Sequence, residues 1–220
     1  MQKISRRDFL KITAIAGGGL IGASLISKGI WTQPYIVTDT RTLMGTIIHL
    51  KLVCEHEEEG RAALDTTFAA MKQLVMMFNL RDENSQVSRL NQSGELRDAS
   101  AEMLEVLSQA HRFGDLTSGA FDVTIQPILS QIRSGREMET NMDHLVDYKK
   151  IKISGSTISF QTPGMGITLD GIAKGYVVDR GVDTLKLLGF ERVLVEAGGD
   201  LVVSCNDFDS EGWKIGVASP

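Results

Sequence analysis

Residues Asp170-Gly171-Ile172-Ala173-Lys174-Gly175 set a lysine between two glycines at the point where an apolar pattern of helical spacing begins. Glycines let a backbone come close to a ligand. The first amides of a helix have no intrahelical acceptor, so they point outward at a place that favours anions. Lys174 adds a full positive charge there, and a phosphate or diphosphate is the ligand such a turn suits best. The stretch is not a Walker loop, which has four residues between its glycines where this one has three, and places the lysine after the second glycine with a Ser or Thr next. Nor is it a dinucleotide fingerprint. Taken alone, it reads more readily as a glycine turn entering an ordinary amphipathic helix.

Other stretches add chemistry-bearing residues. Met44-Gly45-Thr46 opens a β-branched run, Gly119-Ala120-Phe121-Asp122 precedes an apolar run containing Pro127, and Glu196-Ala197-Gly198-Gly199-Asp200 interrupts a late one. Each has a plainer reading. Met44 and Phe121 suit a core, and Asp122 suits a cap on the turn before Val123. Asp170 and Asp200 beside glycines are turn residues first and metal-shell groups second. The four histidines, His49, His56, His111 and His144, are scattered over strand, acidic turn, helix and loop, so none stands out as a catalytic base.

The elements that must position these residues follow from periodicity and punctuation. "TLMGTIIHLKLV" (42–53) has the composition of a strand. The acidic run 55–59 enters a helix in which Leu64, Phe68, Met71, Leu74, Val75 and Phe78 recur at steps of three and four. Met71, Met76 and Met77 are read as core filler. Residues 79–95 read as a polar loop anchored by Leu90. Asp98 or Ser100 caps a second helix ending near Gly114. Residues 117–132 read as a turn and an apolar strand stopped by Pro127. A β-hairpin is expected around Ser154-Gly155-Ser156, a helix over 171–188 capped by Gly189, and strands in "RVLVEAGGDLVVSC" and "GWKIGVAS". The expected class is α+β, or mixed α/β with largely antiparallel sheet.

These stretches, with "SQVSRLN" and "TLDGIAKGYVVD", occur in an order and at separations that resemble the ApbE family of FAD:protein FMN transferases, over 42–220. The resemblance implies an enzyme of that fold that binds FAD and Mg²⁺, cuts the FAD diphosphate and releases AMP. The FMN half joins a Thr or Ser hydroxyl of an exported redox protein through a phosphoester. By motif match, Met44, Ala120, Phe121, Asp122, Thr168 and Lys174 bind the flavin nucleotide, and Gly171 lends a backbone carbonyl to the metal. No residue is singled out as catalytic.

Two departures qualify the expectation. Arg81 stands where many relatives carry a tyrosine, four residues before the serine that matches Ser85. The His-Ile-Ile-Asp-Pro-like and Asp-Ala-x-x-Thr-like stretches that complete the metal site in relatives are not found, so the domain is expected to lack its C-terminal part. Two other functions stay open. One is an FAD pyrophosphatase giving FMN and AMP, and the other is a noncatalytic flavin-binding accessory module.

The 220 residues carry 42% hydrophobic content, enough for one sizeable core, and a formal net charge of −5 with a sequence pI near 5.4. That balance excludes the basic face of a nucleic-acid binder. Cys54 and Cys205 are too few for a disulfide framework and read as buried strand residues. Residues 1–30 begin with a twin-arginine signal, Ser5-Arg6-Arg7-Asp8-Phe9-Leu10-Lys11, followed by an uncharged stretch too short for an ordinary span. The expected destination is the periplasm by the twin-arginine route, with the segment either removed or kept as an inner-membrane anchor. Residues 31–41 are read as a linker.

Overall fold

β1 (Tyr35–Leu43) and β2 (Thr46–Cys54) form an antiparallel hairpin in which Leu43 faces Thr46 and Tyr35 faces Cys54. Ile48, Leu50, Leu52 and Cys54 are buried and alternate with more exposed neighbours, the period-two pattern of a strand with one face on a core. Met44 and Gly45 form the turn with φ of 54° and 70°, the left-handed pair whose twist matches the flanking strands. This corrects two expectations. The linker over 31–41 gives way to a strand from Tyr35 onward, and the single strand over 42–53 is broken at Met44. The threonines of β1 face outward, so only pairing with β2 and burial of Val37 mark it as a strand.

The computed structural model describes residues 34–135, 142–205 and 212–216. The export signal or anchor read over residues 1–30 lies outside them. Among the described residues no helix is long and apolar enough to cross a membrane.

The hairpin belongs to a four-stranded antiparallel sheet of order β1-β2-β6-β7, with β6 at Val193–Ala197 and β7 at Asp200–Ser204. Two helices pack on it and on each other, α1 (Glu57–Phe78) and α5 (Ala173–Leu187). Helix α1 buries Leu64, Phe68, Met71, Leu74 and Phe78, and α5 buries Val177, Val178, Val182 and Leu185. Each large side chain so buried stabilises the fold by about 1.5–3 kcal/mol. Met71 is fully buried as expected, whereas Met76 is 49% exposed and fills no core. Three glutamates, Glu57, Glu58 and Glu59, occupy the first turn of α1, where the helix dipole favours them. Helix α5 stops at Gly189, whose φ of 92° lets Gly189 and Phe190 N–H close back on the carbonyls of Lys186 and Leu185.

A smaller antiparallel sheet has the order β3-β5-β4, formed by Glu95–Leu96, Thr157–Phe160 and Ile151–Ser154, the last two making the hairpin expected at Gly155. The remaining helices are α2 (Gln86–Ser93), α3 (Ala101–Leu116) and α4 (Gln126–Ser134). Ser100, rather than Asp98, caps α3 by accepting from Met103 N–H at 3.1 Å. Pro127 does not stop a strand. It stands in the first turn of α4, where its missing N–H costs nothing, after a 3₁₀ turn over Val123–Ile125. The loop read over 79–95 contains α2, and the strand read in "GWKIGVAS" is absent from residues 212–216. Cys54 is buried and Cys205 exposed, and neither is bridged. The class is α+β with antiparallel sheets.

Candidate functional site

Both hairpin turns of the larger sheet lie at one end of it. Ile48 pairs with Ala197, so the Met44-Gly45 turn before β2 and the Gly198-Gly199 turn after β6 are neighbours. A Cβ added to Gly198, whose φ is 54°, would sit 2.3 Å from Thr46 Oγ1. Only glycine lets that turn close over the first residue of β2. The first turn of α5 comes to the same place. Lys174 Nζ is 3.2 Å from Asp200 Oδ2 and donates to the Gly198 carbonyl at 3.4 Å. On the other side of the turn, Arg133 of α4 reaches Asp170 Oδ2 at 3.4 Å.

The chain from Met165 to Lys174 is the hub of this region. Met165 to Leu169 are buried, and the chain surfaces at Asp170 and Gly171. Thr168 N–H donates to the Val123 carbonyl at 2.8 Å, and Thr168 Oγ1 accepts from Asp170 N–H at 3.2 Å. The threonine side chain therefore shapes the bend that aims the next residues outward. Ile172, the residue before α5, gives no side-chain cap. Ile172 and Ala173 N–H both return to the Leu169 carbonyl. The amides of Lys174 and Gly175 have no hydrogen-bond acceptor among the described residues. They are the outward donors that the sequence pattern implied.

Phe121 lies against this turn. Its Cε2 is 3.2 Å from where a Gly171 Cβ would be, and its ring meets Phe113 edge to face at 5.9 Å. Ala120 is exposed beside it. Asp122 is engaged within the protein. Its Oδ1 accepts from Thr124 N–H at 2.8 Å and Thr124 Oγ1–H at 2.6 Å, and its Oδ2 accepts from Tyr148 N–H at 3.0 Å. The capping role read for Asp122 is thus present. By fixing the 3₁₀ turn it also fixes the Val123 carbonyl that receives Thr168. Met44 is partly buried against the core at the hairpin tip.

Sequence reasoning expected Tyr176 to pack under the turn and quoted "SQVSRLN", but it gave no role to Asn91 within that stretch, to Tyr148 or to the bonds of Tyr176 and Arg180 to Glu105. Asn91 Nδ2–H donates to the Ile167 carbonyl at 2.8 Å, and Ile167 N–H donates to Asn91 Oδ1 at 2.7 Å. Ser85, Ser88 and Asn91 stand at steps of three on α2, and that spacing was the available signal. Ser85 caps the helix through Ser88 N–H, and Ser88 Oγ–H reaches the Leu80 carbonyl at 3.2 Å. Tyr176 packs beneath the turn against Phe78, its hydroxyl donating to Glu105 Oε2 at 2.9 Å. Burial, with that bond to Glu105 adding to it, pushes its phenol up to about 12. Arg180 pairs with Glu105 as well, tying α5 to α3. Arg81 is exposed next to the loop that Ser88 ties down.

A divalent metal needs several hard oxygen ligands in near-octahedral array. Among the described residues no group of three or more Asp, Glu, His or Cys side chains is placed to hold one. Asp170 and Asp200 are each paired with a cation, and Asp122 is held by three donors. The described residues do not by themselves fit Mg²⁺.

A sequence model of the ApbE family matches residues 44–220. A Vibrio cholerae FAD:protein FMN transferase is 29% identical over 191 residues, covering 80% of this chain and 57% of its own. A Haemophilus influenzae FAD:protein FMN transferase is 25% identical with the same coverages. The chain thus spans 57% of the length of these curated relatives. Among solved structures, the flavin transferase ApbE of Vibrio cholerae superposes with a TM-score of 0.70 at 25% identity, over 86% of this chain and 65% of that one. The apo flavinyl transferase ApbE of Pseudomonas stutzeri gives 0.68 at 23% identity, over 79% and 59%. All the stretches that converge on the chain from Met165 to Lys174 fall in the shared region or lead into it, and the chain belongs to the ApbE family.

Proposed function

We propose that this chain supplies the nucleotide-binding part of an FAD:protein FMN transferase. FAD lies with its diphosphate over the Gly171–Gly175 turn, and Lys174 leaves Asp200 to face the phosphates. Met44, Ala120, Phe121, Asp122 and Thr168 complete the nucleotide site, Phe121 offering a ring edge beside Gly171. A hydroxyl of an acceptor Thr or Ser attacks the FMN phosphorus. The P–O–P bond breaks, AMP leaves with the bridging oxygen, and the hydroxyl proton is released. Negative charge gathers on AMP during that step. A lysine and outward helix amides stabilise charge where it develops, in positions fixed beforehand.

Mg²⁺ belongs to the proposal as a partner of the Gly171 carbonyl, with further oxygens from outside the described residues. The acceptor is an exported redox protein, and this chain reaches the same side of the membrane through its own signal at Arg6-Arg7. The observation that supports the reading is that Gly198 and Asp200 meet Lys174 while Phe121 meets Gly171, which brings the stretches 119–122 and 196–200 to one turn. The test is incubation with FAD, Mg²⁺ and a candidate acceptor, followed by a denaturing gel. Flavin fluorescence on the acceptor band is expected. FMN and AMP released with no labelled acceptor would replace the reading by FAD hydrolysis, and bound but uncleaved FAD would replace it by a noncatalytic flavin-binding module.

A further inference from the structure

Asn91 stands on α2, 76 positions before Ile167, and is partly buried. Its side-chain amide bonds both backbone groups of one residue, Ile167, at 2.8 and 2.7 Å. A side-chain amide is a peptide analogue, so this pair of bonds copies what a neighbouring strand would give. Ile167 belongs to neither sheet and has no strand partner. Asn91 stands in for one. A Cβ placed on Gly166 would lie 3.5 Å from Asn91 Oδ1, so side chain and backbone are in van der Waals contact beside the bonds. The next residue, Thr168, is fixed by the Val123 carbonyl and shapes the bend into Gly171.

We propose that Asn91 is a positioning residue of the nucleotide site: by holding both peptide groups of Ile167 it sets where Thr168, Gly171 and the outward amides of α5 stand. Its role is positional: one donor and one acceptor of its amide are engaged by Ile167. The inference rests on the reading of that turn as the diphosphate site.

The charge state of a replacement separates positioning from bulk stability. Asn91→Asp keeps an acceptor for Ile167 N–H but, when ionised, turns a second acceptor toward the Ile167 carbonyl. When protonated it regains one donor and the geometry of the amide. FAD binding to the 220-residue chain with Mg²⁺ is measured at about pH 5 and pH 7.5, values that bracket a raised carboxyl pKa. Asn91→Ala is expected to bind roughly tenfold more weakly at both, the loss of two net hydrogen bonds. Asn91→Asp is expected to match the alanine variant at the higher pH and to recover several-fold at the lower, relative to wild type at the same pH. Equal affinity of all three proteins, or an aspartate variant with no relative pH dependence, overturns the proposal. If wild type itself binds no FAD, the nucleotide reading fails. The clamp is then judged by amide exchange: unchanged protection of Ile167 in Asn91→Ala overturns it.

Discussion

Lys174 Nζ rests 3.2 Å from Asp200 Oδ2, so the one lysine of the Gly171–Gly175 turn is held by a carboxylate at the tip of the β6–β7 hairpin. Both side chains are substantially exposed, 37% and 47%, and an ion pair so exposed adds only about 0–1 kcal/mol to stability. Its consequence is local. A dianionic diphosphate approaching Lys174 must compete with Asp200 for the same ammonium. Asp200→Asn is expected to leave the melting temperature nearly unchanged and to tighten FAD binding a few-fold. The gain should shrink as salt is added, because exposed charges are screened over about 8–10 Å. Titration of the two proteins at low and high ionic strength checks this. Weaker binding in the variant would make Asp200 a contributor to the site, not a competitor.

Asp122 ties three donors together, two from Thr124 and one from Tyr148. Its replacement by alanine leaves those groups without their acceptor and is expected to destabilise the fold by about 1–3 kcal/mol. Asp122→Asn keeps Oδ1 as an acceptor for Thr124 but presents an NH₂ to Tyr148 N–H, and should lose about half as much. Urea unfolding of both variants with unchanged slope measures it. If Asp122 acts on the nucleotide alone, stability stays the same while FAD affinity falls.

Tyr148 is buried beside Gly114, and its hydroxyl donates a hydrogen bond to Asp115 Oδ1 at 2.7 Å. That bond, with burial and the nearby carboxylates adding to it, pushes the phenol up to about 12 from an ordinary 10.0. The folded state therefore holds its proton where the unfolded chain has lost it, and stability falls as pH rises from about 10 to about 12. Below pH 10 the contribution is complete. Tyr148→Phe is expected to make the melting temperature less steep across that window. An identical slope in the two proteins would contradict the hydrogen bond to Asp115.

The parts of this architecture that were legible share a local signal. The Glu57–Glu59 entry to α1, the Gly155 hairpin and the Gly189 stop of α5 are each written within a few residues, whereas Gly198-Gly199, read as a break within one strand, is the turn of a hairpin. What was missed depends on distant partners. β1 carries Thr38, Thr40 and Thr42 on its outer face and is a strand because β2 lies beside it. Helix α2, "QVSRLNQS", is short and polar, and its apolar Val87 and Leu90 find their core only after folding. Pro127 was read as a stop although proline also opens helices. The same division holds at the site. Lys174 and its glycines were visible as a motif, whereas the Asn91 bonds to Ile167 span 76 positions, and the Ser85-Ser88-Asn91 spacing marks a helix face without naming its distant partner.

Gly198 tests how tightly the two hairpin tips are joined. Alanine there would meet Thr46 Oγ1 at 2.3 Å and would hold a left-handed φ of 54°. The backbone conformation alone costs an alanine about 1–2 kcal/mol. Gly198→Ala is expected to lower stability by more than that, and adding Thr46→Ala should recover the steric share but not the backbone share. A double-mutant cycle separates them, and strictly additive losses would mean that the tips do not touch.

The most direct measurement is the affinity of the chain for FAD, with Mg²⁺ present, before and after Lys174→Ala. The account predicts saturable binding by the unaltered protein and a loss of roughly tenfold or more in the variant, the scale of a charge-assisted contact to phosphate. The variant should melt at nearly the same temperature. Binding that ignores the substitution, or no binding by either protein, would contradict the claim that this turn receives a diphosphate.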